Sequence, residues 1–483
     1  MKTATSNPDH VFYRPHGASV GDVIPFYAED EFKLFYLHIW RVAPEQRGPK
    51  GWYLLGSKDF VHYREDGPCH IPGGTGSVLK VGDRYHLFYC VFPDGRQIIC
   101  HATSHDLIHW DLHPEEDFTP DPAYYEQSDW RDPLVFWNEQ ERQWWMLVAA
   151  RARSPYNRSG CVGLCVSNDL KTWQARPPLH APNISLGALE CPDLFRMGDW
   201  WYLIYSTYTD RFVTQYRMSR TLEGPWLAPA VDTFDGRAFY AAKTGSDGRR
   251  RYLFGWNPTR TENEYNWNPP AYSGFDHATW DWGGHLIVHE LVQRSDGSLC
   301  VRMPDSVAKA YPTPQGLSLT EALGSWQIDA TGAETQAEQG FACVTAGPLP
   351  SRALVSARFR FRPSTRRLGL WVRASKALDQ GYQIQFEPDR QRLVFKSYVF
   401  ADEHGGKIPT GEVDLERPLT LEPDRTYHVA LLLDDTVCEV YVNDEVALST
   451  RMYDLPAGDL ACYVTDGAAR FEDLRLKVPA LHV

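Results

Sequence analysis

The segment FKLFYLHIW (residues 32–40) is a run of aromatic and branched apolar residues, and similar runs recur along the first 305 residues. The other copies are YHLFYCVF (85–92), QWWMLVAA (143–150), WWYLIYS (200–206) and RRYLFGW (250–256). Aligned on Leu34, Leu87, Met146, Leu203 and Leu253, neighbouring copies are 53, 59, 57 and 50 residues apart. Repeats of this length, each with room for four short strands, are typical of β-propeller blades.

A second pattern, Ser-x-x-Leu/Phe-x-x-aromatic, alternates with the first. It occurs as SKDFVHY (57–63), SHDLIHW (104–110) and SNDLKTW (167–173), and in a degenerate form as SRTLEGPW (219–226). Each copy follows a β-like run, as a turn at the end of a strand would. Together the two patterns predict five copies of one unit, and hence a five-bladed β-propeller over residues 1–305.

The character of the sequence changes after Pro304. The segment VAKAYPTPQGLSL (307–319) contains two prolines, which predicts a linker over residues 306–320. Short runs of alternating apolar and polar residues follow, and they favour an antiparallel β-sandwich over residues 321–483. The expected fold class is therefore all-β, with a five-bladed propeller followed by a C-terminal β-sandwich.

Composition excludes several classes of function. The chain has 483 residues with 62 acidic and 49 basic side chains, and its net charge of −13 argues against a nucleic-acid partner. It has no apolar run of the ~18 residues that a membrane span needs, and MKTATSNPDH lacks the apolar core of a signal peptide. We therefore expect a cytoplasmic protein without a membrane partner. The ten scattered cysteines are interpreted as buried free thiols, so a metal site is not expected.

Three carboxylic acids lie about 13 residues before an anchor residue: Asp22, Asp132 and Glu190. The strands nearest a propeller axis bring their side chains together, so we expect these acids to meet at one level of the central channel. Any one of them could be a turn residue or a satisfied buried acid, but three at one offset favour a site. Clustered carboxylates are driven to different protonation states, as cleavage of a glycosidic bond requires.

Around these acids the chain resembles glycoside hydrolase family 32, the group of invertases, inulinases and levanases. Arg131-Asp132-Pro133 resembles the family's Arg-Asp-Pro motif, and Glu190-Cys191 resembles its Glu-Cys motif. VGDVIPFYAEDEFKLFYLH (20–38) lies where the family has an Asn-Asp-Pro-Asn-Gly block. The resemblance implies a catalytic propeller, a C-terminal sandwich and a retaining β-fructofuranosidase that needs no cofactor.

The resemblance also implies a role for each acid. Asp22 would be the nucleophile, and Glu190 would be the general acid and then the base. Asp132, together with Arg131, would hold the sugar hydroxyls and stabilise the transition state. Further residues expected to bind substrate are Ser77, Tyr240 and Trp256. His16 lies near the presumed nucleophile and could bind substrate, although it is equally well interpreted as a satisfied loop histidine.

The first block departs from the family pattern. Asp22 is flanked by Gly21, Val23, Ile24 and Pro25, so the amide donors are absent. Because unpaired hydroxyls are costly, this change bears on the identity of the sugar more than on the reaction. Sucrose, a fructo-oligosaccharide, a difructose-type compound and another furanoside all stay open.

The leading hypothesis is a retaining glycoside hydrolase that cleaves a β-fructofuranoside bond in a small oligosaccharide. The alternatives are a fructosyltransferase, including difructose anhydride chemistry, an arabinofuranosidase-type hydrolase and a non-catalytic carbohydrate-binding protein. The expected partner is a small carbohydrate substrate, and association into a homo-oligomer is also open. The aromatic run NEYNWNPPAYSGFDHATWDWGG (263–284) is interpreted equally well as a sugar-stacking loop or as blade packing.

Overall fold

The computed structural model describes residues 10–259, 281–398 and 415–480, which form two compact units. The first unit contains residues 13–259 and 281–299, and the second contains residues 10–12 and 300–480. Almost all regular structure is β. In the part of the chain described, no helix is long and apolar enough to cross a membrane.

The first three blades of the first unit each contain four antiparallel strands. The strands of the first blade are β1 (Ala18–Ala28), β2 (Glu31–Trp40), β3 (Trp52–Ser57) and β4 (Arg64–Pro68). Those of the second are β5 (Gly74–Val81), β6 (Arg84–Val91), β7 (Ile98–Ser104) and β8 (Asp111–Leu112). Those of the third are β9 (Tyr125–Asn138), β10 (Gln143–Ala152), β11 (Gly160–Ser167) and β12 (Gln174–His180). Three short 3₁₀ turns lie in the connections at Pro44–Gln46, Pro93–Gly95 and Pro114–Glu116.

The last two blades complete the five-bladed propeller and confirm the predicted architecture of the first part of the chain. The fourth blade contains β13 (Glu190–Met197), β14 (Trp200–Thr207) and β15 (Val213–Ser219). The fifth contains β16 (Tyr240–Ser246), β17 (Arg251–Thr259) and β18 (Asp281–Gln293), and the short strand β19 (Leu299–Arg302) follows along the chain. A pairing of Gly284 with Val20 joins β18 to β1, so the last blade is hydrogen-bonded to the first.

The recurring aromatic runs form the second strand of each blade. These strands lie between two neighbours in the same sheet, and all five anchor residues are completely buried: Leu34, Leu87, Met146, Leu203 and Leu253. A strand that is covered on both faces needs apolar side chains in succession rather than in alternation. This requirement explains why the repeat is visible as an unbroken apolar run.

The serine pattern forms the turn between the third and fourth strands. The hydroxyl of Ser57 accepts the backbone N–H of Phe60 at 2.9 Å, and Phe60 has a left-handed φ of 60°. The same bond, with a left-handed residue at the same place, occurs at Ser104–Leu107 and at Ser167–Leu170. The turn is thus closed by the side-chain-to-backbone bond that serine favours.

The second unit is the predicted β-sandwich. Its strands are β20 (Thr313–Gln315), β21 (Thr320–Leu323), β22 (Trp326–Ile328), β23 (Gly332–Pro348), β24 (Arg352–Phe361), β25 (Arg367–Ala374), β26 (Gly381–Glu387), β27 (Arg392–Tyr398), β28 (Leu415–Pro418), β29 (Tyr427–Asp434), β30 (Val437–Val442), β31 (Val446–Arg451) and β32 (Asp459–Val478). The long strand β32 pairs with β25 through residues 459–465 and with β24 through residues 469–477. One strand therefore pairs with both β25 and β24 at different points along its length.

The segment expected to be a linker has some regular structure. A short helix, α1 (Asp305–Lys309), begins it, and β20 pairs with β32 of the sandwich. All ten cysteines are free and buried, which confirms the interpretation drawn from the sequence.

Candidate active site

The first strand of every blade carries a β-bulge at a similar height. The register shifts by one residue between Val20 and Val23, Gly74 and Gly76, Arg131 and Leu134, Glu190 and Asp193, and Tyr240 and Lys243. In three blades the bulge holds a left-handed residue, with φ of 57° at Asp132, 50° at Cys191 and 53° at Ala241. Bulges re-aim side chains, and non-glycine residues in this region are typical of functional sites. The bulges therefore point to the location of the site.

The acids lie on two adjacent levels of these bulges rather than on one. Pro25, Val135 and Leu194 pair with the anchor residues of the second strands. Asp22 and Asp132 lie three residues before Pro25 and Val135, whereas Glu190 lies four residues before Leu194. The expectation of a single level needs this correction, because the sequence offset was only approximate.

The level of Glu190 is a row of three hydrogen-bonded side chains from consecutive blades. Arg131 Nη2 donates to Glu190 Oε1 at 2.9 Å, and the hydroxyl of Tyr240 donates to Glu190 Oε2 at 2.5 Å. Burial raises the pKa of Glu190 above its usual range, and the charge of Asp132 adds to this effect. The bonds from Arg131 and Tyr240 act in the opposite direction. Glu190 is thus a partly exposed acid, held by two hydrogen bonds, that retains its proton more strongly than a fully exposed glutamate.

The other level joins Asp22 to Asp132 through Cys191. The backbone N–H of Cys191 donates to Asp132 Oδ2 at 2.9 Å, and its Sγ lies 3.8 Å from Asp22 Oδ2 as a weak donor. The indole N–H of Trp256 donates to Asp22 Oδ1 at 3.0 Å. Burial, together with the charge of Asp132, raises the pKa of Asp22 to about 7, and the hydrogen bond from Trp256 opposes the shift. Burial likewise holds the pKa of the Cys191 thiol well above its usual range, so this thiol is a donor and not a nucleophile.

Sequence reasoning missed Lys243, a buried cation beside the acid cluster. It is buried at the end of the fifth-blade bulge, where its Nζ donates to the carbonyl oxygen of Gly76 at 2.8 Å. Its charge lowers the pKa of Asp22 and so favours the ionised carboxylate. The signal was a lysine inside the apolar run FYAAKT (239–244), which is an unusual place for an unpaired cation.

Aromatic side chains fill the space beside Asp22, where residue 21 is a glycine and has no side chain. A Cβ added at Gly21 would lie 2.4 Å from Trp282 Cη2, so the indole of Trp282 fills the position of a side chain at residue 21. The ring centroids of Trp282 and Trp256 are 5.8 Å apart, and Phe212 stacks on Tyr240 at 4.0 Å. The site therefore has an apolar surface against which a sugar ring can pack.

Six of the eight predicted site residues are joined in this network: Asp22, Asp132, Glu190, Arg131, Tyr240 and Trp256. Ser77 is buried, and its hydroxyl accepts the backbone N–H of Val135 at 3.0 Å, which holds β5 to β9. His16 is exposed in the turn before β1 and takes no part in these hydrogen bonds. The aromatic run at 263–284 lies outside the described residues up to position 280.

Metal-binding geometry occurs away from the acids. Within single units of the described chain, two groups of side chains could share an ion: His10 with Asp434 and Asp435, and His113 with Glu115 and Glu116. In the first group His10 Nδ1 is already 2.6 Å from Asp434 Oδ1. Neither group includes a residue of the acid cluster. The cluster is instead arranged for proton transfer and nucleophilic attack, which need one protonated and one ionised carboxyl group.

Comparison with protein families gives a match over most of the chain. Residues 24–279 match the model of the "Glycosyl hydrolases family 32 N-terminal domain", and residues 322–478 match "Glycosyl hydrolases family 32 C terminal". The first match begins two residues after Asp22. A sucrose-6-phosphate hydrolase of Escherichia coli is 24% identical, with 91% of this chain and 88% of that protein covered. A raffinose invertase of Escherichia coli is 26% identical, with 92% and 90% covered.

Solved structures share the fold over nearly the whole chain. An exo-inulinase from Aspergillus awamori superimposes with a TM-score of 0.70 at 15% identity, covering 98% of both chains. The sucrose-6-phosphate hydrolase from Lactobacillus gasseri gives a TM-score of 0.71 at 16% identity, covering 98% of this chain and 94% of that one.

Proposed function

The chain belongs to glycosyl hydrolase family 32, and from this premise we propose that it cleaves a β-fructofuranoside bond in a small oligosaccharide with retention of configuration. In this proposal Asp22 is the nucleophile and Glu190 is the general acid and base. The observation that carries it is the convergence of Asp22, Asp132 and Glu190 around the Cys191 bulge. A retaining enzyme needs two such carboxyl groups about 5–5.5 Å apart.

In the first step Glu190 gives its proton to the glycosidic oxygen as the bond from that oxygen to the anomeric carbon breaks. A carboxylate oxygen of Asp22 forms a bond to the same carbon, which gives a covalent fructosyl-enzyme. The raised pKa of Glu190 supports this role, because the residue must be protonated when substrate binds. In the second step Glu190 takes a proton from water, and the resulting hydroxide displaces Asp22.

The two oxygens of Asp22 differ in their surroundings. Oδ1 accepts the N–H of Trp256 at 3.0 Å, whereas among the described residues Oδ2 faces only the weak thiol donor of Cys191 at 3.8 Å. We assign the attack to Oδ2, because a lone pair that is less engaged is the better nucleophile. Trp256 then orients the carboxylate, and Lys243 helps to keep it ionised.

Asp132 and Arg131 hold the sugar in this scheme. The left-handed backbone of Asp132 and its bond from the Cys191 N–H fix the carboxylate, which can accept hydrogen bonds from sugar hydroxyls. Arg131 lies 3.9 Å from Asp132 and donates to Glu190, so its charge supports both acids. Hydrogen bonds of this kind strengthen as positive charge develops on the sugar in the transition state.

The test is a turnover screen of the wild type, Asp22→Asn and Glu190→Gln. The panel contains sucrose, inulobiose, levanbiose, short inulin and levan oligomers, difructose anhydrides, aryl fructofuranosides and arabinofuranosides. Loss of the general acid should lower kcat on sucrose by about 10²–10⁴-fold, and should lower it much less on an aryl fructofuranoside, whose leaving group needs no proton. Asp169→Asn is the matched control, since Asp169 is an exposed turn acid of the third blade.

The product pattern decides between the alternatives. Release of free fructose by the wild type, lost in Asp22→Asn, supports the hydrolase. New oligosaccharides in place of free fructose would identify a transferase that uses the same intermediate. Cleavage restricted to arabinofuranosides would overturn the choice of sugar. Binding without any turnover would overturn the assignment as a catalyst.

A further inference from the structure

A permanent cation is bonded to the general acid assigned above. Arg131 Nη2 donates to Glu190 Oε1 at 2.9 Å, and the two side chains are 13% and 20% exposed. Burial raises the pKa of Glu190, whereas the charge of Arg131 lowers it. An adjacent opposite charge can lower the pKa of an acid by about 1–3 units, and a general acid must be protonated when substrate binds. The site therefore needs a means of weakening the effect of Arg131 on this proton.

The other end of the Arg131 guanidinium is ion-paired with a carboxylate that the proposed mechanism does not use. Nη1 donates to Oδ1 of Asp129, which lies two residues earlier in β9 and is 14% exposed. The ladder between β9 and β10 is irregular here, because a step of five residues in β9, from Tyr125 to Trp130, matches a step of two in β10. Asp129 lies among the extra residues, so a local distortion of the strand brings its carboxylate to Arg131.

A neutral side chain from the second blade holds the same end of the guanidinium. Gln97 lies in the connection between β6 and β7, and its Oε1 accepts the backbone N–H of Trp130 at 2.8 Å and Arg131 Nη1 at 3.3 Å. Nη1 therefore has one charged and one neutral acceptor, while Nη2 donates to Glu190. A glutamate at position 97 would have the same shape and keep the acceptor oxygen, but would add a negative charge.

The charged and titratable side chains around Glu190 belong to four blades. Among the described residues they are Asp22 of the first blade, Asp129, Arg131 and Asp132 of the third, Cys191 and Tyr208 of the fourth, and Tyr240 and Lys243 of the fifth. Asp132 faces Nε of Arg131 at 3.9 Å, and it already accepts the backbone N–H of Cys191. Asp129 is hydrogen-bonded to the guanidinium itself, so it competes directly with Glu190 for this cation.

We propose that Asp129 is a positioning residue for the general acid, which anchors the far end of Arg131 and balances its charge so that Glu190 keeps its proton in the free enzyme. Removal of this negative charge acts in one direction. It leaves the charge of Arg131 less compensated and it relieves the repulsion between two carboxylates, and both effects favour ionised Glu190. The proposal rests on the proposed function in that Glu190 is the general acid, and a measurement without turnover separates the two.

The first experiment is the pH profile of kcat/KM for Asp129→Asn on the best oligosaccharide of the screen. Asparagine keeps an oxygen acceptor for Arg131 but removes the charge. The basic limb should move to lower pH by about one unit, so that kcat/KM falls about tenfold above the limb and changes little below it. An aryl fructofuranoside, whose leaving group needs no proton, should lose much less. Glu126→Gln is the matched control, because Glu126 lies in the same strand and is ion-paired with Arg151 at 3.3 Å.

The second experiment returns the charge to the same guanidinium from another blade. Gln97→Glu in the Asp129→Asn background places a carboxylate at the neutral acceptor of Arg131, so the basic limb should move back toward its wild-type position. Gln97→Glu alone should move the limb to higher pH, since Arg131 is then held by two carboxylates besides Glu190. A purely structural role of Asp129 predicts neither shift, because Gln97→Glu changes the charge and not the shape of the side chain.

Three results would each overturn the proposal: a basic limb that Asp129→Asn leaves in place, a loss of kcat/KM that is equal at every pH, or a double variant whose limb stays shifted. If Asp129→Asn does not fold, the single variant Gln97→Glu tests the same charge, and an unshifted limb there overturns the proposal.

An infrared titration gives the answer without turnover. The band of the protonated carboxyl group that Glu190→Gln removes should disappear at lower pH in Asp129→Asn than in the wild type, by about one unit. An equal midpoint in the two proteins would overturn the proposal. If the wild type cleaves no furanoside, the proposed function fails, and this titration still decides whether Asp129 controls the proton of Glu190.

Discussion

Replacing Tyr240 with phenylalanine removes the hydroxyl that donates to Glu190 Oε2 at 2.5 Å. The ring stacks on Phe212 with centroids 4.0 Å apart, so the variant keeps its packing. A donated hydrogen bond stabilises the ionised carboxylate relative to the neutral acid and therefore lowers the pKa of Glu190. Its loss should raise this pKa beyond the elevation that burial already causes.

The expected size follows from the kind of bond that is lost. A hydrogen bond to a charged group contributes about 1.5–3 kcal/mol, and one pKa unit corresponds to about 1.4 kcal/mol. The pKa of Glu190 should therefore rise by roughly 1–2 units. Arg131 continues to donate to Oε1, so the orientation of the carboxyl group is retained. Because Glu190 acts as an acid only when it is protonated, the basic limb of the pH profile should move to higher pH by the same amount.

The assay is the pH dependence of kcat/KM on the best fructoside of the screen, since this profile reports the acid and base of the free enzyme. Tyr205→Phe is the matched control, because Tyr205 is buried in the same unit and its hydroxyl has no hydrogen-bond partner among the described residues. The control should leave both limbs in place. If Tyr240→Phe is active and its basic limb lies at unchanged or lower pH, the assigned role of Glu190 is refuted.

Three further changes test the surroundings of Asp22. Trp256→Phe removes a donor to the carboxylate, so the pKa of Asp22 should rise above about 7 and the acidic limb of kcat/KM should move to higher pH; a stationary limb would contradict this. Asp22→Asn should increase the free energy of unfolding at pH 8 by up to about 4 kcal/mol and should hardly change it at pH 4. The reason is that a carboxyl group whose pKa is raised in the folded state destabilises the folded protein as the pH rises from about 4 to about 7. Denaturant titrations of the wild type and the variant at both pH values measure this difference, and an equal increase in the free energy of unfolding at both would contradict the prediction. Gly21→Ala should lower kcat/KM at least tenfold because its Cβ meets the indole of Trp282, and adding Trp282→Ala should recover part of the loss; a fully active single variant would show that the contact is harmless.

The fold could be predicted because its signals are local and repeated. The buried anchors and the serine turns each recur at blade spacing, and both depend only on residues that are close in sequence. The levels of the acids could not be predicted to one residue. A one-residue bulge changes which residues lie opposite each other, and nothing in WRDPLVFW or ALECPDLF marks where the ladder shifts.

The contacts that tune the site join residues that are far apart in sequence. Trp256 and Asp22 are 234 positions apart, and Lys243 and Gly76 are 167 apart. Spacing alone does not show that Lys243 faces an acid or that Trp282 covers Gly21. Spacing also suggested that Ser77 binds substrate, although its hydroxyl accepts a hydrogen bond that joins two blades.

The charge balance of the cluster favours the retention of a proton by its acids. Four carboxyl groups, those of Asp22, Asp129, Asp132 and Glu190, lie close to two cations, Arg131 and Lys243. If all four were ionised, the site would hold two uncompensated negative charges in a buried environment, which is expensive. Retention of a proton by the cluster is therefore favoured, and the raised pKa values of Asp22 and Glu190 point to these two as its carriers. Trp256 and Lys243 favour the ionised form of Asp22, so a glycosidic oxygen placed at Glu190 meets the proton on the correct side of the bond. A bell-shaped pH profile would then reflect the coupling of the two acids, and the shift that each variant causes assigns each limb.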